Sequence, residues 1–91
     1  MVAHSWQIVW TKRSQQNMLH AYKYISENST KNALMLIESI ADAVYKAIEN
    51  PEFYNPDKYK INNDGSYRAF EKHHFRISYR FTKNVIRVLK D

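Results

Sequence analysis

Residues 75–82, Phe75-Arg76-Ile77-Ser78-Tyr79-Arg80-Phe81-Thr82, carry an aromatic or aliphatic side chain at every second position. The positions between them hold arginine, serine or threonine. Because successive side chains of a strand point to opposite faces, this alternation predicts an antiparallel strand with one face in the core. Its other face is cationic and turned towards solvent. The way in which this strand packs decides where the neighbouring elements lie.

The next strand, at 85–90, follows Lys83-Asn84, which we interpret as a two-residue turn. That turn sets Arg80 opposite Arg87. A three-residue loop would set arginine against tyrosine and divide the apolar residues between both faces, so we reject it. The two-residue turn leaves one apolar face made of Phe75, Ile77, Tyr79, Phe81, Ile86 and Val88.

The opposite face of these two strands gathers Arg76, Arg80 and Arg87, which we call the basic face. Like charges directly opposite each other destabilise a sheet by up to about 1 kcal/mol. Either an acidic partner covers the Arg80–Arg87 pair, or the two side chains extend separately into water. From Pro51 onward nine cations stand against five anions, within a net charge of +5. This imbalance favours an acidic or polyanionic partner.

The rest of the chain predicts a first strand followed by two helices. Residues 6–10 alternate as in a strand, and Thr11 is a suitable N-cap for the helix after it. The second helix keeps one apolar face until Asn50-Pro51 ends it. We expect one α+β domain over 1–91, ordered β-α-α-β-β-β, with an antiparallel helical hairpin packed on one face of a small, twisted, mostly antiparallel sheet. The predicted elements are strands at 5–10, 66–72, 74–82 and 85–90, helices at 12–27 and 30–49, and a loop at 51–65.

Composition excludes several classes of function. The chain has no cysteine, which excludes disulfides and thiol nucleophiles, and its single glycine excludes a glycine-rich phosphate loop. No apolar run approaches the ~20 residues of a membrane span, so we expect a cytoplasmic protein with no membrane contact. No pair of histidines has the i, i+4 spacing of a helical zinc site, and we expect neither a metal nor a cofactor. The histidines are His4, His20, His73 and His74.

One enzymatic hypothesis remains, which is metal-independent RNA cleavage. It requires a base for the 2′-hydroxyl, a cation for the phosphorane charge and an acid for the leaving oxygen. His73 or His74 is the candidate acid or base, and Arg68 joins the basic face as a candidate phosphate clamp. Histidine beside arginine in a basic hairpin is also typical of a polar hairpin tip or of a plain binding surface.

The loop at 51–65 interleaves aromatic and cationic side chains, at Tyr54, Lys58, Tyr59 and Lys60. Tyrosine stacks on bases while lysine neutralises phosphate in proteins that bind single-stranded nucleic acid. Alternatively, the aromatic side chains, with Phe53, anchor the loop to the helical hairpin. We favour the anchoring role, because a connection of this length in so small a domain needs fixed points.

The chain also resembles the RelE/ParE toxins of bacterial type II toxin–antitoxin systems. The segments Tyr67-Arg68, Phe75-Arg76-Ile77-Ser78-Tyr79 and Val85-Ile86-Arg87-Val88 match the tail of that family in order and spacing. Trp10-Thr11 before a helix resembles the end of the family's first strand, and residues 21–25 resemble its first helical stripe. The similarity covers nearly the whole chain.

The resemblance implies a toxin neutralised by an acidic cognate antitoxin, with operator DNA bound only through the complex of the two. RelE-like members are ribosome-dependent endoribonucleases that cut messenger RNA, whereas ParE-like members poison DNA gyrase and are not nucleases. The RelE-like basic segment with its near-terminal tyrosine has no counterpart after Lys90-Asp91. Glu71-Lys72 stands where nucleases favour denser cations. Both departures favour the ParE-like, plasmid-stabilisation branch.

Three functions are therefore consistent with the sequence. The expected one is a toxin that inhibits DNA gyrase by protein contact and is not an enzyme. Its expected contacts with target or antitoxin are Arg76, Arg80, Arg87, Lys72, Lys58 and Lys60. The first alternative is a messenger-RNA endoribonuclease acting at the ribosome through His73 or His74 with Arg68. The second alternative is a non-toxic, basic RNA-binding or regulatory module.

Overall fold

A computed structural model describes residues 6–90 of the chain. Its elements confirm the predicted α+β fold and the order β-α-α-β-β-β. The expected first strand includes residue 5, which lies outside the described residues. The elements are β1 (Gln7–Trp10), α1 (Lys12–Ser26), α2 (Thr30–Glu49), β2 (Tyr67–Lys72), β3 (Phe75–Thr82) and β4 (Val85–Lys90).

The four strands form one mixed sheet in the spatial order β1-β4-β3-β2. β1 and β4 are parallel, while β4–β3 and β3–β2 are antiparallel. β4 therefore lies inside the sheet between the first strand and the third. The antiparallel part follows from the strand patterns, whereas the parallel pairing joins two distant segments whose sequences do not predict it.

The turn at Lys83-Asn84 sets the register that the apolar pattern predicts. Both residues have positive φ, 49° and 68°, as a type I′ hairpin turn requires. Arg80 pairs with Arg87 and Tyr79 with Val88, which confirms the predicted register. Beyond Tyr79 a β-bulge shifts the ladder by one residue.

A second two-residue turn, His73-His74, joins β2 to β3. The two histidines have φ of 50° and 70°, the same left-handed geometry as the other turn. β3 accordingly begins at Phe75 rather than at residue 74. The predicted strand at 74–82 therefore loses its first residue, because both histidines occupy the turn.

Hydroxyl side chains begin both helices. Thr11 Oγ1 accepts a hydrogen bond from the backbone N–H of Ser14 at 3.2 Å, which confirms the predicted N-cap. Ser29 Oγ accepts from the N–H of Asn32 at 3.1 Å and begins α2. α2 ends with Asn50 as its C-cap, immediately before a proline, as predicted.

The core lies between the helical hairpin and one face of the sheet. Leu36, Ile40 and Val44 of α2 pack in one buried cluster with Ile77 and Val88 of the sheet. Burial of each such side chain contributes about 1.5–3 kcal/mol relative to exposure. A second cluster surrounds Ala47, Tyr79 and Ile86. The predicted apolar face is confirmed, with its edge positions Phe75 and Phe81 half-buried.

The connection between α2 and β2 lies along the outer edge of β2. The Asp57 N–H donates to the Tyr67 carbonyl at 2.8 Å, and the Ala69 N–H donates to the Asn55 carbonyl at 3.2 Å. These two bonds cover the first half of an edge strand that would otherwise present open backbone groups. They also hold the loop beside the sheet.

Candidate functional site

The basic face lies on the side of the sheet away from the helices. Arg76 and Arg80 stand on β3, and Arg87 stands on β4 directly opposite Arg80. Val9 of β1 pairs with Arg87 on its other side. The alternation of β3 and its register with β4 thus bring three guanidinium groups onto one face, as the sequence predicts. Their surroundings nevertheless differ.

Arg76 is bound within the protein. Its Nη2 donates to Asp57 Oδ1 in a charged hydrogen bond, and its guanidinium carbon lies 4.7 Å from the centroid of the Tyr59 ring. Burial alone would raise the pKa of Asp57. The hydrogen bonds from Arg76 and from the Tyr59 N–H, with the charges of Arg76 and Lys60, hold that pKa below its ordinary value. Arg76 therefore fixes the loop to the sheet.

Arg80 is also held, though by neutral groups. Its Nε donates to the Ser66 hydroxyl at 3.2 Å, and its guanidinium carbon lies 4.8 Å from the centroid of the Tyr67 ring. Asp64 contributes a negative charge nearby, and hydrogen bonds from Ser66 hold the pKa of Asp64 below its ordinary value. The Arg80 side chain is thereby kept in place opposite Arg87.

Arg87 is exposed. Within residues 6–90 its guanidinium has neither a hydrogen bond nor an ion pair. Because Arg80 is fixed by Ser66 and Tyr67, with Asp64 as the negative charge near it, movement of Arg87 or an added anion beside Arg87 would relieve the repulsion between the two arginines further. Of the three arginines of the basic face, Arg87 is the one available to an external carboxylate or phosphate.

Arg68 lies on the other face of the sheet, under the helices. It pairs with Tyr79 in the β2–β3 ladder, and its side chain is only 13% exposed. Its Nε donates to the Gly65 carbonyl at 2.8 Å, and its Nη1 donates to the Tyr54 carbonyl at 3.0 Å. Arg68 therefore holds the ends of the loop together and does not join the basic face as a phosphate clamp.

The candidate nuclease residues do not come together. His73 and His74 are exposed in the turn at the far end of β2, five residues along the strand from Arg68. At about 3.3 Å per residue, roughly 16 Å of strand separates them. The face that Arg68 occupies is also opposite to that of the basic arginines. The candidate acid and base therefore lie apart from Arg68.

The three predicted contact lysines divide between the two sides of the sheet. Lys60 Nζ lies 4.4 Å from the Tyr67 ring centroid, and Lys58 Nζ lies 5.2 Å from that of Tyr59. Both lysines thus extend the basic face. Lys72 pairs with Phe75, whose side chain packs in the core, so it lies on the helix side. The expectation that Lys72 accompanies the arginines is corrected accordingly.

The aromatic residues of the loop also lie on two different sides of the sheet. Tyr54 does anchor the loop to the helical hairpin, since its hydroxyl donates to the Ala43 carbonyl at 2.6 Å and its ring stacks on Phe70 at 4.1 Å. Burial raises the pKa of Tyr54 and keeps this hydroxyl protonated. Phe53 packs edge-to-face against Tyr54 at 4.9 Å and lies 5.7 Å from Lys46 Nζ of α2, as an anchor would. Tyr59 instead lies against Arg76 on the basic face and is not an anchor on the helical hairpin.

The sequence also matches the model of a known protein family. The model is that of the ParE toxin of the type II toxin–antitoxin system parDE, and it covers residues 8–90. The chain belongs to the ParE toxin family. It is a type II toxin, and its matched region contains both helices, three complete strands and nearly all of β1.

The fold of this toxin is also similar to a solved structure described as the chromosomal ParDE TA system from P. aeruginosa. The two superpose with a TM-score of 0.75 at 15% sequence identity, over 97% of this chain and 95% of the other. No curated protein matches the sequence. At this identity the structural likeness concerns the fold.

Two residues that hold the surface of the toxin in place are not predicted from the strand and helix patterns of the sequence. Asp57 binds Arg76 across 19 residues of chain. Asn63 uses both ends of its amide to close the loop, donating to the Tyr67 carbonyl at 2.7 Å and accepting from the Gly65 N–H at 2.8 Å. Asn63 stands in the run Asn62-Asn63-Asp64-Gly65, whose residues favour turns, so the sequence does indicate a turn there. No local pattern in the sequence indicates the Asp57–Arg76 pair.

Residues 6–90 of the toxin include no group of three or more histidine, aspartate or glutamate side chains that could hold a metal ion. Neither of the two helices in this range has an apolar stretch long enough to cross a bilayer.

Proposed function

We propose that this toxin inhibits DNA gyrase in the cytoplasm by protein contact, and that a cognate antitoxin neutralises it. The observation that carries the proposal is the ParE family match over residues 8–90. The solved structure that shares its fold is itself described as a ParDE toxin–antitoxin system. A gyrase inhibitor of this kind needs a binding surface and no catalytic residues.

The separation of Arg68 from His73 and His74 supports binding over RNA cleavage. General acid–base chemistry requires its groups within hydrogen-bond reach of one reacting centre. Arg68 is committed to two backbone carbonyls, and the histidines lie in a turn at the end of the hairpin. No observation favours a second function over the first.

The basic face is the proposed contact surface for gyrase or antitoxin. Arg87 is the available arginine of this face, while Arg76 and Arg80 hold their neighbours in place. An acidic antitoxin segment laid over Arg80 and Arg87 would relieve their repulsion, so its binding should weaken as salt rises. Operator DNA would be bound through the toxin–antitoxin complex.

The test compares the wild type with Arg87→Glu in supercoiling assays with purified gyrase, and maps messenger-RNA ends after induction in cells. The matched control is Lys31→Glu, which makes the same charge reversal at an exposed position on α2. We expect gyrase inhibition and intact transcripts for the wild type. Arg87→Glu should weaken inhibition at least tenfold, and Lys31→Glu should leave it unchanged.

Ribosome-phased cuts in messenger RNA, with gyrase unaffected, would overturn the gyrase proposal and favour the endoribonuclease. Equal inhibition by Arg87→Glu and the wild type would retain gyrase as the target but remove Arg87 from the contact. Growth arrest that a co-expressed acidic antitoxin fails to relieve would overturn the neutralisation step.

A further inference from the structure

The loop between α2 and β2 crosses the edge of the sheet and exposes apolar surface beside the basic face. Ile61 is 83% exposed and Tyr59 is 70% exposed. Single exposed apolar residues are common, but here they belong to one short segment, residues 58–61, which we call the recognition loop. Its cations, Lys58 and Lys60, alternate with its apolar residues.

Hydrogen bonds hold the base of the recognition loop in one conformation. Asp57 Oδ1 accepts from the Tyr59 N–H at 2.9 Å, and the Asp57 carbonyl accepts from the Lys60 N–H at 3.2 Å. On the other side, Asn63 accepts from the Tyr67 N–H at 3.2 Å and donates to the Tyr67 carbonyl. The Arg76–Asp57 ion pair then fixes the loop base to β3. An exposed isoleucine on a fixed loop loses little entropy when a partner covers it.

The charges beside Ile61 indicate an acidic partner. Two anions flank Ile61 in sequence, and both have partners. Asp57 is paired with Arg76, and Asp64 accepts hydrogen bonds from the N–H and the hydroxyl of Ser66. Lys58 and Lys60 lie exposed on either side of Tyr59. The positive charge of the recognition loop continues into the basic face through Lys60, which lies against Tyr67 beside Arg80.

The same contacts favour a protein over a nucleic acid. Single-stranded nucleic acid binds by stacking bases on aromatic rings. Tyr59 and Tyr67 each already have two cations against the ring, at 4.4 to 5.2 Å from its centroid, so a base would have to compete with them. The most exposed side chain, Ile61, is aliphatic and offers a base neither stacking nor a hydrogen bond. An apolar pocket on a protein would bury the Ile61 side chain.

We propose that the recognition loop is the anchor of target binding, with Ile61 entering an apolar pocket on an acidic protein surface while Lys58 and Lys60 pair with carboxylates at its rim. This inference rests on the proposed function, because it takes the target to be a protein that the toxin inhibits by contact. A central apolar anchor surrounded by polar contacts is typical of the residues that dominate binding energy.

The experiment compares wild type, Ile61→Ala, Ile61→Asp and the control Tyr24→Asp, which places the same charge at a 74% exposed apolar position on α1. The readouts are the inducer dose that arrests growth, supercoiling by purified gyrase, mapped transcript ends and thermal unfolding. All variants should unfold within a few degrees of the wild type, because both positions are exposed. We expect Ile61→Ala to weaken inhibition about tenfold and Ile61→Asp to abolish it, with Tyr24→Asp unchanged.

Full activity of Ile61→Asp beside an active wild type would overturn this inference and leave the proposed function standing. Equal loss in Tyr24→Asp would also overturn it, since the effect would not belong to the recognition loop. If the wild type arrests growth with cut transcripts and leaves gyrase unaffected, both the proposed gyrase inhibition and the binding of the recognition loop to a protein target are overturned. If the wild type arrests growth but changes neither supercoiling nor transcript ends, gyrase is not the target. The recognition loop is then tested by growth alone: an inducer dose for Ile61→Asp equal to that of the wild type would overturn the inference, and a much higher dose would support it.

Discussion

The hydroxyl of Tyr79, in the middle of β3, donates a hydrogen bond of 2.7 Å to the backbone carbonyl of Pro51. Tyr79 is 1% exposed, and burial raises its pKa well above the ordinary tyrosine value. The hydroxyl therefore remains a donor at any physiological pH. It joins the centre of the sheet to the residue that follows α2.

Removal of that hydroxyl should destabilise the fold without changing its shape. In Tyr79→Phe the Pro51 carbonyl is left buried without this donor, which costs about 1–3 kcal/mol. Urea unfolding should show a lower midpoint at an unchanged slope. Tyr45→Phe, at an exposed position of α2, is the matched control and should unfold like the wild type. Equal midpoints for the two variants would contradict the role of the Pro51 bond.

The Asp57–Arg76 pair should make stability depend on acid pH. Because the folded state holds the pKa of Asp57 below its unfolded value, the stabilisation is fully present above the unfolded pKa and is lost as pH falls through the folded one. The free energy of unfolding of the wild type should thus fall below about pH 4. Asp57→Asn should be less stable at pH 7 and should show a shallower decline on acidification. An unchanged acid slope in Asp57→Asn would contradict this assignment.

The arginines of the basic face should separate stability from binding. Arg76→Ala removes the partner of Asp57 and should cost about 1–3 kcal/mol of unfolding free energy. Arg87→Ala removes an exposed cation opposite Arg80 and should change stability by less than about 0.5 kcal/mol. Thermal unfolding of both variants, alongside antitoxin affinity at two salt concentrations, tests the difference. A large loss of stability in Arg87→Ala would show a structural role that its exposure does not predict.

The histidine turn should tolerate replacement and even improve. Both His73 and His74 have positive φ, which asparagine and glycine adopt more readily. The double variant His73→Asn/His74→Gly should gain up to about 1 kcal/mol of stability and retain growth arrest. Chemical unfolding and induction in cells check both results. Loss of arrest in a well-folded double variant would return the histidines to a catalytic role.

Sequence patterns predict the fold well where the contacts are local or alternate regularly. The period of two in β3 and the turn at Lys83-Asn84 together give the register and the basic face. β2 has no such period, since Phe70 is its one large apolar side chain on the helix side, and the face of Arg68 is therefore not readable from β2 alone. The Asp57–Arg76 pair and the parallel β1–β4 ladder join distant segments, so only the assembled sheet reveals them.

The interior position of β4 has a consequence for synthesis of the toxin. While a ribosome has made only the first 84 residues, β1 has no neighbour and the helices have half a sheet to cover. Contacts between segments so far apart form late and slowly. We therefore expect the nascent toxin to complete its sheet, and with it the basic face, only once residues 85–90 are available. A message interrupted before that point should yield a chain that lacks the central strand of its sheet and is open to proteolysis.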